Sequence, residues 1–159
     1  MKPAEQWANF SQRGGLWVLA QAALLSTLVL LSARFRSRGR QPIAIAAGAT
    51  LLGTGAGIVA AGAIALAENL TPFPKPPEKA VLVRQGIFSM VRHPLYTGVM
   101  LMSVGWALIW SSPPALLVAF GLMPFFDSKA RREERWLRER FPEYLDYERR
   151  VKRFLPGIY

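Results

Sequence analysis

The chain has 159 residues, 52% of them hydrophobic, and sets 20 Lys and Arg against 10 Asp and Glu for a net charge of +10; this is one domain at most. It has no cysteine and a single histidine, which excludes a disulfide framework and a thiolate metal site and argues against a histidine-based metal site. Charge is segregated: no acidic residue lies between Glu5 and Glu68, and no charged residue between Arg92 and Asp127, so the basic residues flank apolar runs where anionic headgroups, not nucleic acid, are the nearest partner.

In chain order, Met1 to Arg13 is short and mixed in charge, and its Trp7 and Phe10 suit a segment lying at a membrane interface. Gly15 to Ala33 is an apolar run of 19 residues, close to the roughly 20 a helix needs to cross the hydrocarbon. The exit Leu31-Ser32-Ala33-Arg34 lacks a small-x-small cleavage pattern, so the run reads as an uncleaved span and not as a secretory signal. Arg34, Arg36, Arg38 and Arg40 then form a basic loop at the lipid phosphates. Ile43 to Ala67 is a second span, 25 residues long. Its Gly53-Thr54-Gly55-Ala56-Gly57 superficially resembles a nucleotide loop, but no strand precedes it and the apolar segment is unbroken. A packing role is expected instead: Ala49, Gly53, Gly57, Ala61 and Ala65 recur every fourth residue, a small-residue face for a helix of this chain or of a second copy in a homo-oligomer.

Pro72, Pro74, Pro76 and Pro77 exclude a regular helix from Glu68 to Val83. Leu95 to Trp110 and Ala115 to Phe126 are two shorter apolar runs joined by Ser111-Ser112-Pro113-Pro114. They predict a helical hairpin whose second arm continues past the membrane as Asp127 to Phe141, because proline is tolerated in a first helical turn. The expected architecture is therefore all-α and integral to the membrane, with four spans at about 15–33, 43–67, 95–110 and 115–126 and a cytoplasmic C-terminal helix. The ten Lys or Arg after Phe126 and the four from Pro72 to Arg92 place both regions in the cytoplasm by the positive-inside rule.

The chemistry concentrates in one polar island, Arg84 to Gly98, which holds the only histidine, His93, between Arg92 and Pro94. Arg92 and Tyr96 alone would suit an ordinary interfacial anchor, Arg snorkelling and Tyr at headgroup level. The whole string says more. Gly86, Phe88, Arg92, His93, Pro94, Tyr96 and Gly98 stand at the spacing G-x-[FY]-x-x-x-R-H-P-x-Y-x-G, and Glu133-Glu134-x-x-Leu137 follows one apolar hairpin later. Over about residues 72–156 the chain resembles the integral-membrane methyltransferases of the isoprenylcysteine carboxyl methyltransferase and phospholipid methyltransferase group.

That resemblance implies a single methyltransferase domain over 1–159 that uses S-adenosylmethionine and no metal, with its active site facing the cytoplasm. The methyl acceptor would be lipid-associated, an isoprenylcysteine-like carboxylate or a phospholipid amine, entering from the bilayer. Carried over position by position, it implies a cofactor wall at Ala80, Val81, Leu82 and Val83, further cofactor contacts at Phe88, His93, Pro94, Leu95, Tyr96 and Glu133, and a substrate contact at Lys129. Arg92, His93, Lys129 and Glu133 form the implied catalytic group, with His93 available to take a proton from an amine acceptor. The chain departs from the family in carrying Lys129 where isoprenylcysteine enzymes often have arginine, and Phe141-Pro142-Glu143-Tyr144-Leu145-Asp146-Tyr147 where the family ending reads F-G-x-x-Y-x-x-Y. Without the resemblance, Lys129 and Glu133 read as an exposed i, i+4 pair. Two other classes fit the helices: a sterol-reductase-like NADPH enzyme, whose motif would read R-H-x-N-Y where this chain has Leu95, and a non-catalytic membrane adaptor.

Overall fold

Two long apolar helices come first, α1 over Gly15–Arg34 and α2 over Pro42–Leu66. The structure is a computed structural model and describes residues 7, 10–37, 39, 41–77 and 79–159. Most of the expected interfacial segment Met1 to Arg13, and Arg38 and Arg40 of the arginine loop, lie outside the described residues. By length and composition α1 and the stretch Pro42–Asn69 can each cross a membrane, and only 11% of each apolar window is buried within the chain. Core helices of a soluble protein would be covered; these present apolar side chains outward, as lipid-facing helices do.

Three of the four long helices start with proline at the first or second position, Pro42, Pro94 and Pro113, where the missing N–H has no intrahelical partner to lose. The hairpin appears as expected, with α3 over Pro94–Ile109 and α4 over Pro113–Arg140. α4 runs unbroken from the apolar arm into the charged stretch and carries Asp127 to Arg140 back toward the start of α3. Ser111 at φ 49° makes the turn, and the Ser112 hydroxyl donates to the Leu31 carbonyl at 3.2 Å, tying the hairpin tip to the end of α1. A short helix α5, Tyr144–Arg150, follows.

α2 and α3 touch backbone to backbone, and different glycines make the contact from those in the expected stripe. A Cβ on Gly55 would stand 2.6 Å from the Gly98 carbonyl oxygen, one on Gly48 2.6 Å from that of Gly105, and one on Gly62 2.9 Å from Leu95. These three recur every seventh residue. Ala49, Gly53, Gly57 and Ala61 are exposed, and a Cβ on Gly53 or Gly57 would meet nothing within 4 Å, so this face is not the one used within the chain. On α4 a second stripe, Ala115, Ala119, Leu122, Phe126 and Ala130, is fully buried and forms the core with Leu28, Met100 and Ala107.

The segment between α2 and α3 is irregular, as its prolines require. Residues 67–69 form one 3₁₀ turn and Gly86–Ser89 another. After α5 the chain returns beside this segment as an isolated parallel bridge, Val91 with Lys152. The amides of Arg92 and His93 donate to the carbonyls of Lys152 and Arg153 at 2.8 and 3.1 Å, which fixes the backbone just where α3 begins.

Candidate active site

Glu134 is the hub that holds the island in place. It is completely buried, yet one oxygen, Oε1, accepts from Arg92 Nε and Nη2 at 3.1 and 2.8 Å, from Arg153 Nε at 3.0 Å and from His93 Nε2 at 3.1 Å. Its Oε2 accepts from Arg153 Nη2 at 2.7 Å. Burial alone would disfavour the charge; the hydrogen bonds from His93 and Arg153 and the nearby cations outweigh it and hold the carboxyl well below the usual carboxylate range. The same contacts raise the Arg153 pKa, burial opposing. Arg92 spends its last donor, Nη1, on the carbonyls of Glu148 and Val151 at 2.8 and 2.6 Å. Every donor nitrogen of that guanidinium is therefore engaged in joining the α3 entry to α4 and the tail. An ionised Glu134 only accepts, so the His93 proton belongs on Nε2 and Nδ1 is left as an acceptor, 3.8 Å from Glu133 Oε2.

The adjacent Glu133 points elsewhere, into a cleft. Its side chain is 27% exposed and accepts on Oε2 from the Tyr96 hydroxyl at 2.7 Å. The Tyr96 ring stacks on Phe126 at 4.9 Å and on His93 at 5.3 Å, and these two rings hold its orientation. Opposite lies the tract Ala80 to Val83. It is held as a strand would be, because the Asn69 side chain accepts from the Val81 amide at 3.3 Å and donates to the Val81 carbonyl at 3.4 Å. Phe88, Pro94, Leu95, Leu137, Phe141, Tyr144 and Tyr147 close the remaining walls. The Tyr147 hydroxyl donates to the Phe88 carbonyl, so α5 and the 3₁₀ turn before α3 are fastened together at the cleft.

Lys129 is not an exposed partner of Glu133. It is 2% exposed, and its ammonium donates to Gln21 Oε1 of α1 at 2.6 Å and lies 3.5 Å from the Pro72 carbonyl. It also sits 5.1 Å from the centroid of the Tyr96 ring. Among the described residues no carboxylate comes within 4.0 Å of it, and burial, which outweighs the field of Glu133, lowers its pKa.

The profile of the phospholipid methyltransferase family matches residues 43–144. The chain belongs to that family. It is 38% identical over 80 residues to the protein-S-isoprenylcysteine O-methyltransferase of Saccharomyces cerevisiae, a match covering 49% of this chain and 34% of the relative. To the cobalt-zinc-cadmium resistance protein CzcN of Cupriavidus metallidurans it is 36% identical over 80 residues, covering 48% and 36%. The matched region thus spans about a third of the length of these curated relatives. The solved structure of a eukaryotic intramembrane Ras methyltransferase, isoprenylcysteine carboxyl methyltransferase, superposes on 99% of this chain and 55% of its own with a TM-score of 0.64 at 19% identity. The fold is therefore that of an integral-membrane, all-helical protein.

In this family member the expected cofactor positions converge. Ala80, Val81, Leu82, Val83, Phe88, His93, Pro94, Leu95, Tyr96 and Glu133 all line one cleft, as does Arg92. Lys129 is not among the lining residues and stands behind the Tyr96 ring. Three participants, Arg153, Asn69 and Gln21, escape the motif reading, and a fourth, Glu134, stands in the motif with no role assigned. Glu134 and Arg153 form the buried ionic hub, Asn69 holds the tract, and Gln21 holds Lys129 from 108 residues away. Asn69 and Gln21 did leave a trace, as single amides at the end of one apolar run and within the other.

Proposed function

We propose that the chain is a membrane methyltransferase that transfers the methyl group of S-adenosylmethionine to a carboxylate on a lipidated, isoprenylcysteine-like acceptor. The observation that carries this is the convergence, on one cleft, of the ten positions the family assigns to the cofactor. The residues present suit that ligand: aromatic rings for a purine, one carboxylate at Glu133 for positive charge, and a buried hydroxyl, Tyr144, that has no partner. Bound there, S-adenosylmethionine supplies a methyl carbon already activated by its sulfonium, so the protein's task is to align the acceptor and exclude water.

In this reading Ala80 to Val83, Phe88 and Pro94 to Tyr96 enclose the cofactor and Glu133 contacts it. Arg92 and His93 are held by Glu134 and position the α3 entry, with His93 Nδ1 as the acceptor for a proton if the nucleophile is an amine. Lys129 orients the acceptor carboxylate from the side of Gln21. The whole chain acts as one domain with four spans, α1 to α3 and the first half of α4, and the cleft faces the cytoplasm, where fourteen Lys and Arg of the two flanking regions lie. The buried ammonium of Lys129 favours the carboxylate over the phospholipid amine, since a buried cation is stabilised by an anion and repels another cation.

The deciding experiment is calorimetric titration of the detergent-solubilised chain with S-adenosylhomocysteine and, separately, NADPH. S-adenosylhomocysteine binds and raises the unfolding temperature, by mass action on the native state; NADPH does neither. Binding of NADPH alone would return the cleft to the reductase class, and binding of neither would leave an adaptor.

A further inference from the structure

Two buried side-chain polar atoms among the described residues have no hydrogen-bond partner, Trp106 Nε1 and the Tyr144 hydroxyl. Trp106 faces no cavity described above. Tyr144 is 1% exposed and lines the cleft. A buried hydroxyl without a partner is destabilising, and native structures keep such groups rare. Its neighbour Tyr147, 5.6 Å away in an edge-to-face pair, shows that the same short helix can satisfy a buried phenol: that hydroxyl donates to the Phe88 carbonyl. Both rings line the cleft, but only Tyr147 finds a partner for its hydroxyl within the chain.

We propose that Tyr144 is a ligand-contacting residue of the cleft, whose hydroxyl hydrogen-bonds the nucleoside part of the bound cofactor. This rests on the methyltransferase reading and goes beyond it, because Tyr144 stands in the divergent family ending, to which the resemblance assigns no cofactor contact. Burial, reinforced by the field of Glu134, pushes the Tyr144 phenol far above its ordinary pKa, so it stays neutral and can both donate and accept. A neutral group suits a ribose hydroxyl or a purine nitrogen. The ionic amino-acid end of the ligand calls for charged partners, and among the lining residues those are Glu133 and Arg92. Tyr147 packs against the Tyr144 ring, and Leu137 and Phe141 line the same cleft, apolar and aromatic surfaces suited to a planar base.

The test compares the full-length, detergent-solubilised wild type with Tyr144→Phe and Tyr147→Phe. Calorimetry measures binding of S-adenosylhomocysteine and of 5′-methylthioadenosine, which keeps the nucleoside and lacks the amino-acid end; thermal unfolding is measured without ligand. Tyr144→Phe leaves the ligand-free unfolding temperature unchanged or higher, because it removes an unsatisfied polar group. It weakens both ligands by the same factor, about three- to tenfold, the worth of one neutral hydrogen bond. Tyr147→Phe lowers the ligand-free unfolding temperature. The proposal is overturned if Tyr144→Phe fails to fold or loses stability as Tyr147→Phe does with both affinities intact, since the hydroxyl is then structural. Loss of affinity for S-adenosylhomocysteine alone overturns the nucleoside assignment. A wild type that binds neither ligand refutes the methyltransferase reading itself, an outcome distinct from equal binding by wild type and Tyr144→Phe, which refutes only the role of Tyr144.

Discussion

Two adjacent glutamates should respond in opposite ways to the same substitution. Glu134→Gln removes the negative charge that balances Arg92 and Arg153, whose side chains are 9% and 13% exposed. The new amide also brings an N–H₂ into a shell made only of donors: whichever way it is turned, it faces Arg153 Nη2 at the 2.7 Å position or the Arg92, His93 and Arg153 nitrogens around the other oxygen. Breaking a buried ion pair from one side costs about 3 to 5 kcal/mol, a large share of the roughly 5 to 15 kcal/mol that holds a domain folded. Glu133→Gln is milder. Its carbonyl can still accept from Tyr96, so stability falls by no more than about 1 kcal/mol. The lost charge appears in affinity for S-adenosylhomocysteine instead, about 1.5 to 3 kcal/mol or one to two decades. Thermal unfolding and calorimetry, both at equal folded concentration, separate the two. If Glu134→Gln unfolds at the wild-type temperature, the hub is not what holds the island together. If Glu133→Gln binds S-adenosylhomocysteine as wild type does, the cofactor contact is wrong.

Three further outcomes follow from the same contacts. Gly55→Ala drives a Cβ to 2.6 Å from the Gly98 carbonyl and destabilises by about 1 to 3 kcal/mol, whereas Gly57→Ala, with open space around it, is neutral or stabilising; parallel denaturation of both variants checks this, and equal losses would refute the seven-residue register. Lys129→Met removes a buried cation while keeping the stem, so it leaves the unfolding temperature and S-adenosylhomocysteine affinity unchanged or raised and lowers turnover of a prenylcysteine carboxylate at least about tenfold. Because the folded pKa of Glu134 is depressed, its contribution to stability is fully present above the ordinary carboxylate pKa of about 4.3 and lost as pH falls below it, at about 1.4 kcal/mol per pH unit. An acid titration of the unfolding temperature should show this slope in wild type and a weaker one in Glu134→Gln.

The fold was legible where the sequence is monotonous. Apolar runs of helical length, prolines at their starts and the proline cluster after Glu68 place the four long helices and the irregular segment within a residue or two, while the short α5 was not expected. The site was legible where spacing is rigid: Arg92 to Tyr96 spans the entry and first turn of one helix, so naming the motif names its neighbours. The glycine contact was not legible, for a physical reason. α2 carries small residues on every side, and both a four-residue and a seven-residue stripe can be drawn through it. Which stripe packs depends on where Gly98 and Gly105 arrive on α3, and that is a property of two helices, not of one.

The glutamate pair shows the same limit at the level of chemistry. Successive residues on a helix point about 100° apart, so one of two neighbouring carboxylates can enter a cleft while the other enters the core. The motif supplies both, and the resemblance gives a role to Glu133 and none to Glu134. What decides is the tail: Arg153 reaches Glu134 only because Lys152 pairs with Val91 and brings the chain end back over the α3 entry. Once Arg153 and Arg92 converge on one carboxylate, the other is free to face a ligand. The two arginines on Glu134 thus leave Glu133 available. Under the proposed function, a site for a cationic cofactor therefore has two adjacent acids, one of them neutralised by the protein.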